Sequence, residues 1–447
     1  MTDLNLKRTQ LIKLGAEHLA NTLLELYDMY PAVADVVERI LATPDENIKR
    51  FKTKLASLKR SRKFISWHES GDFAQELQQL LIDLERGVKE PCSGVELVGR
   101  FFEADASIFN RCDDSNGSVG DVFSFSATDL FVSFASRCEN KHFIADLVIK
   151  LNENDGYGVR DSLFKRAGEY LPEATLRDMI DDLWRKAELT TNDYQAGSWH
   201  RAIQMLAKQL RDAPLFEKAR LGNTPPSVAA WFDIAQIYLE CGEPQIALTK
   251  IKQIPEPEGF MLNERQQLLF GIYRQLGNID AQTKIAWQIF NAHHDLTTLN
   301  QLLDCIGQDQ RDPVISDTFN KIAQEPHLSY DDAAFLLAVE RIDELEIYLL
   351  QRIEQLNGGL YFRLLPLAEA LEKRGKLLIS CLIYRALLDS ILKRAQSKYY
   401  QHGVKYLKKL DQLAPFVTDW QTWPTHNTYL TILQENHKRK SAFWSKY

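Results

Sequence analysis

Ala247-Leu-Thr249-Lys250-Ile251 returns 34 residues later as Ala281-Gln-Thr283-Lys284-Ile285. Each copy follows a Tyr and a Gly in the same order, Tyr238 then Gly242 and Tyr273 then Gly277. A fixed period enclosing a helical pattern marks a stack of helical hairpins, in which no unit buries its apolar face alone. Trp231, Ala235, Tyr238 and Ala247 then take four signature positions of a tetratricopeptide-like unit: a bulky opener, a small residue at the crossing, an aromatic one turn on, and a small residue in the second helix. Phe270, Gly271 and Ala281 supply the second copy. The small residues let the paired helices approach closely, as ridge-into-groove packing requires. Later hairpins, around Leu360–Leu388, are degenerate.

The rest of the chain also reads as helix. Leu19, Leu23, Leu26 and Tyr27 line one face of an opening helix that stops before Pro31, and Leu77, Leu80, Leu81 and Leu84 line another. Period-2 alternation is short wherever it occurs, as at Val122–Phe125. Fifteen Pro and 21 Gly in 447 residues are few for a turn-dense β fold. The predicted class is all-α: an irregular helical N-terminal domain over 1–215, then a tetratricopeptide-like α-solenoid over 216–447. The boundary is set by Leu221–Ser227, where two prolines and a glycine precede a Ser able to cap the next helix.

Composition narrows the setting. Hydrophobic residues at 45% and charged residues at 26% are those of an average soluble globular chain. The apolar run Leu377–Leu388 carries Arg385 and falls short of the roughly 20 residues that a spanning helix needs. Met1–Gln10 is polar and charged, without the apolar core of a signal peptide. Six scattered cysteines without C-x-x-C spacing suit reduced thiols and argue against a zinc site or a disulfide framework. The expected location is the cytoplasm. A net charge of -7 argues against a nucleic-acid coat while leaving room for a local basic patch.

Gly15–Leu24, Asp113–Asp121, Tyr399–Leu407 and His437–Trp444 together resemble a bacterial family of unknown function built from helical repeats, some of whose members carry an N-terminal SWIM zinc finger. The resemblance implies a helical-repeat fold and assigns no catalytic residue. This sequence has no C-x-C followed by C-x-H, so the finger is absent here.

The strongest local anomaly is Lys49–Lys63, where eight basic residues occur with no acid between Asn47 and His68. On a helix, Ile48, Phe51, Leu55 and Leu58 form the buried stripe. Lys49, Lys52, Lys59, Arg60 and Lys63 gather on a flank about 100° wide. Such a flank suits phosphates; the plainer account is a solvated face or one paired with acids elsewhere in the protein. Near the C-terminus Lys398, His402, Lys405 and Lys409 follow helical spacing and form a second candidate anion stripe. Phe443 and Trp444 are expected to fold back onto the helix carrying Tyr399 and Tyr406 and cap the array.

Other constellations fail on chemistry. Asp113–Asp121 has Val119 where a calcium loop begun at Asp114 requires Gly, and a turn capped by Asp121 explains it better. Asn152–Gly158 fails the same test. His293 and His294 are adjacent and point about 100° apart on a helix, so they do not chelate as an i, i+4 pair does. No G-x-S-x-G, phosphate loop or H-E-x-x-H is present. The sequence therefore favours a non-enzymatic interaction scaffold without cofactor, taking a protein or peptide on a helical-repeat surface. The alternative is a nucleic-acid-binding protein using Lys49–Lys63.

Overall fold

The computed structural model describes residues 3–153, 155–222, 226–255 and 259–447. It is 77% helical, against about 30–35% in an average globular protein, and has no strand among the described residues. An isolated bridge pairs Ile65 with Cys112. The all-α class holds. The chain divides into two units, Met1–Ile254 and Pro255–Tyr447. That division falls later than the boundary near 215, so the hairpin Val228–Glu240 with Pro244–Ile251 belongs to the first unit. Asn223–Pro225, within the break read from sequence, lies outside the described residues, as does Asn154 in the second acidic loop.

In the first unit, helix Pro44–Arg60 starts at a capping box. The Thr43 side chain accepts from the Glu46 amide, and the Glu46 carboxylate takes the Thr43 amide at 2.7 Å. Phe51, Leu55 and Leu58 of this helix are buried in one core with Leu77, Leu80, Leu81 and Leu84 of helix Ser70–Gly87. At its centre Phe123 meets Phe101, Phe102 and Phe109, with centroids 4.8, 6.1 and 5.5 Å away. Phe123 sits in a π-helical turn, Val122–Ala127, so the short alternation in the sequence is a widened helix turn.

Arg160 and Asp105 form a buried ion pair. The guanidinium also donates to the carbonyls of Leu151 (2.6 Å) and Phe102 (3.1 Å). A buried charge of this kind persists only when its donors are satisfied. Cys92 and Cys138 are joined in a disulfide, correcting the expectation that all six thiols are reduced. Helix Pro91–Phe102 packs on helix Thr128–Arg137, which brings the first turn of one to the C-cap of the other. No local spacing signals a pairing across 46 residues.

From Val228 onward first helices begin at Val228, Leu262, Leu296 and Tyr330, each 34 residues after the last, and a fifth begins at Tyr361. Their partners are Pro244–Ile251, Ile279–Ala292, Arg311–Gln324, Ile342–Leu350 and Leu377–Arg394. Four of the five connections share one device. A residue with positive φ (Gly242, Gly277, Glu340 or Gly375) ends the first helix. The next amide then reaches back to a carbonyl of its last turn: Glu243 to Tyr238, Asn278 to Tyr273, Arg341 to Leu336 and Lys376 to Leu371, at 2.9–3.0 Å. This is the Schellman closure, and it explains the Tyr-x-x-x-Gly spelling seen twice in the sequence. Caps fix the opposite ends: Ser227 accepts from the Ala230 amide, Asn278 from Ala281, Asp295 from Thr297 and Thr298.

Candidate functional site

Two surfaces carry the candidate residues, one in each unit. In the first, the predicted apolar stripe of helix Pro44–Arg60 is inward, so its cations line the outer flank. The acid-free run acquires acids from other elements. Lys54 pairs with Glu76, Lys59 with Glu103 at 3.6 Å, and Lys63 with Glu69 at 3.4 Å. Glu69 is engaged several times over: the Ser66 amide and hydroxyl, then Lys63, hold its carboxyl below the usual range. Arg60 Nε donates to the Ala56 carbonyl of its own helix at 3.1 Å. Lys49, Lys52 and Arg62 are exposed and have no acid partner among the described residues. Next to Arg62 the segment after the helix exposes Phe64 (62%) and Trp67 (49%), with Trp67 edge-on to His68 at 4.7 Å. These aromatics stand within the acid-free run, and the sequence reading passed over them.

In the second unit the basic stripe does not share one helix face. Helix Tyr400–Leu413 begins after Lys398, which lies in a 3-10 turn, Ser397–Tyr399, with its ammonium 4.9 Å from the Tyr399 ring centre. Lys409 is paired with Glu372 at 2.6 Å. Lys405 is exposed. His402 opens onto a cleft of about 240 Å³ lined by Gly358, Tyr361, Leu387, Ile391, Arg394, Tyr399 and Tyr406. Gly358 brings its loop close against helix Leu377–Arg394 at one edge of the cleft. A Cβ there would lie 1.9 Å from the Ala386 carbonyl oxygen, so only glycine lets this loop rest on helix Leu377–Arg394. Leu387 and Ile391 of that helix make an apolar floor. Burial pushes the Tyr406 phenol up, with smaller contributions from Glu369 and Tyr361. Arg394 Nε donates to the Ser390 carbonyl at 3.3 Å, and its Nη groups have no partner among the described residues.

The repeat positions divide. Ala235, Tyr238 and Ala247 are buried, while Trp231, Gly271 and Ala281 are half-buried. In helix Ile279–Ala292 the fully covered small residue is Ala286 instead of Ala281. Tyr238 donates to Glu217 at 2.8 Å, and Glu217 also takes Lys250, so a carboxylate from outside the hairpin ties its two helices. At the C-terminus Phe443 is fully buried, edge-on to Tyr400 at 5.8 Å and close against Gly403. Trp444 donates its indole N–H to the His437 carbonyl at 2.9 Å. Phe443 thus rests on the helix that carries Tyr406, with Tyr400 and Gly403 as its contacts there.

The remaining constellations resolve locally. The Asp114 carboxylate accepts from the amides of Val119 and Gly120, both at 2.8 Å, so it caps the turn in place of Asp121. His294 Nδ1 lies 2.7 Å from Asp332, and His293 Nε2 lies 2.8 Å from Asn263. Among the described residues no group of three or more His, Cys, Asp or Glu is placed to hold a metal ion, and no helix is long and apolar enough to cross a membrane. Arg385, which interrupts the apolar run, is buried between the rings of Trp420 (4.4 Å) and Tyr429 (4.5 Å) and donates to the Pro424 carbonyl at 2.8 Å. A lone charge in a long apolar stretch was its only signal.

Helical hairpins whose first helices recur at a 34-residue spacing, without a strand among the described residues, define an all-α protein. The chain belongs to the family of unknown function DUF6880, whose model matches residues 1–446. Among curated proteins no match is found.

Proposed function

We propose that this chain is a non-enzymatic interaction scaffold of a bacterial cytosol, binding a protein or peptide on a tetratricopeptide-like array. The observation that carries this reading is the recurrence of first helices at Val228, Leu262, Leu296 and Tyr330, closed four times in five by the same left-handed turn. Repetition of one supersecondary unit multiplies equivalent surface, and extended recognition surfaces are what such arrays provide. Affinity purification of the tagged chain from its native host, read by quantitative mass spectrometry, tests it. One or a few proteins enriched at stoichiometric levels are expected; a profile indistinguishable from the tag alone sinks the reading. The cytosolic placement has a separate check, because Cys92 and Cys138 would be held reduced there. The bond in the structure counts against that placement, so thiol trapping at lysis decides: both thiols free keeps the cytosol, and a bonded pair points to an oxidising compartment.

A second reading, nucleic-acid binding, is favoured by the exposed Phe64 and Trp67 beside Arg60 and Arg62. Aromatic platforms next to cations take single strands by stacking and phosphate contact. Polarisation of a fluorescein-labelled oligothymidylate at low salt tests it. Binding should weaken with salt by roughly 0.7 log–log units per phosphate contacted. It should vanish when Lys49, Lys52, Arg60 and Lys63 become Glu, and no binding to the wild type ends this reading.

A further inference from the structure

The tyrosine-lined cleft at Gly358 is a built site. Its floor is apolar (Leu387, Ile391), three of its walls are tyrosines (Tyr361, Tyr399, Tyr406), and its rim carries Arg394 and His402 with Lys398 alongside. Among the described residues no carboxylate lines it, Glu369 acting on Tyr406 from outside the lining, although the chain as a whole carries a net charge of -7. At about 240 Å³ it lies below the roughly 300–1,000 Å³ typical of drug-sized ligand sites and matches one large side chain. Tyr361 is 59% exposed, so an occupant would cover apolar ring surface that this unit leaves in water. The neighbouring ion pairs sharpen the contrast. Lys409 is held by Glu372 and Lys376 by Asp343 and Glu346, whereas the Nη groups of Arg394 have no partner among the described residues.

We infer that this cleft receives a single aromatic or large aliphatic side chain from an acidic peptide segment, with Arg394 and His402 meeting the carboxylates that flank it. Charge complementarity selects the acidic sequence, and the closed apolar floor selects the anchor. Burial of such an anchor between aromatic walls is the usual seat of binding energy in a peptide interface. The inference rests on the scaffold reading and adds to it the place and chemistry of the partner.

The test pans a phage-displayed library of random dodecapeptides on the full-length chain. Selected peptides are then measured by fluorescence polarisation on the wild type and on the double variant Tyr361→Ser/Arg394→Glu. Both altered residues are exposed, and the variant's thermal melt confirms its fold. Enriched peptides should share one large apolar residue among Asp and Glu, and should lose at least about tenfold in affinity on the double variant. Replacing the apolar residue by Ala, or the acids by Lys, should cost as much. Peptides that bind the double variant like the wild type overturn the cleft assignment and leave the scaffold reading standing. No enrichment at all also overturns it, while the native-host purification still decides the scaffold. Competition by N-acetyltryptophanamide at the peptide's own affinity would make this a small-molecule site and overturn the peptide assignment.

Discussion

Gly358 shows how one hydrogen in place of a methyl sets a surface. The group in its way is a backbone carbonyl, which has no rotamer to move to. Gly358→Ala is therefore expected to cost at least the ~1–3 kcal/mol typical of overpacking, read as a lower urea midpoint at unchanged m-value. An unchanged midpoint would mean that the loop does not rest on helix Leu377–Arg394. At this scale the sequence was legible where a pattern repeats and silent where a contact is made once. Phe51, Leu55 and Leu58 fall inward because helical spacing dictates it. Gly358 against Ala386, Arg385 between Trp420 and Tyr429, and Arg160 on Asp105 are each formed between residues distant in the chain, with no periodic trace.

Among elements, the recurring left-handed turn is the most informative comparison, because one of its four copies breaks the rule. Glu340 holds φ 60 where Gly242, Gly277 and Gly375 stand in the others. A side chain in that region costs roughly 1–2 kcal/mol, whereas its pair with Arg374 is exposed and screened by water. Glu340→Gly is thus expected to raise stability slightly, by up to about 1 kcal/mol in chemical denaturation; a clear loss would show that the Arg374 pair outweighs the strain. The disulfide offers a second test between elements. Cys92→Ser should lose about 2–4 kcal/mol under oxidising conditions, and variant and wild type should converge in excess dithiothreitol. A gap that persists in reductant would assign the loss to packing. Helix existence was readable almost throughout, and the basic helix with its inward stripe was readable residue by residue. Its acid partners Glu76, Glu103 and Glu69 were not, since they arrive from later segments.

For the molecule as a whole, the two units have separate cores. One runs from Phe51 to Ala219, the other from Phe270 to Phe443. Residues 1–254 and 255–447, expressed separately, should each give a helical circular-dichroism spectrum and a cooperative thermal transition, since both are of ordinary domain size. A fragment that melts without a transition would show that its core needs the other half. Sequence reading drew the division near 215, from the proline-rich break Leu221–Ser227. Compactness draws it at Ile254, because the Glu217 carboxylate just upstream holds Tyr238 and Lys250 and keeps the first 34-residue hairpin with the helices before it.

The shared turn has a consequence for descent. A unit closed by its own glycine and its own capping residue is transferable, because the signals that start and stop its helices travel within the copied segment. Members of this family should therefore differ in length by steps of about one hairpin, 34 residues, inserted or deleted between left-handed turns. Such steps should be rare on the N-terminal side, where the Arg160–Asp105 pair and the Cys92–Cys138 bond tie together segments that no single duplication would carry.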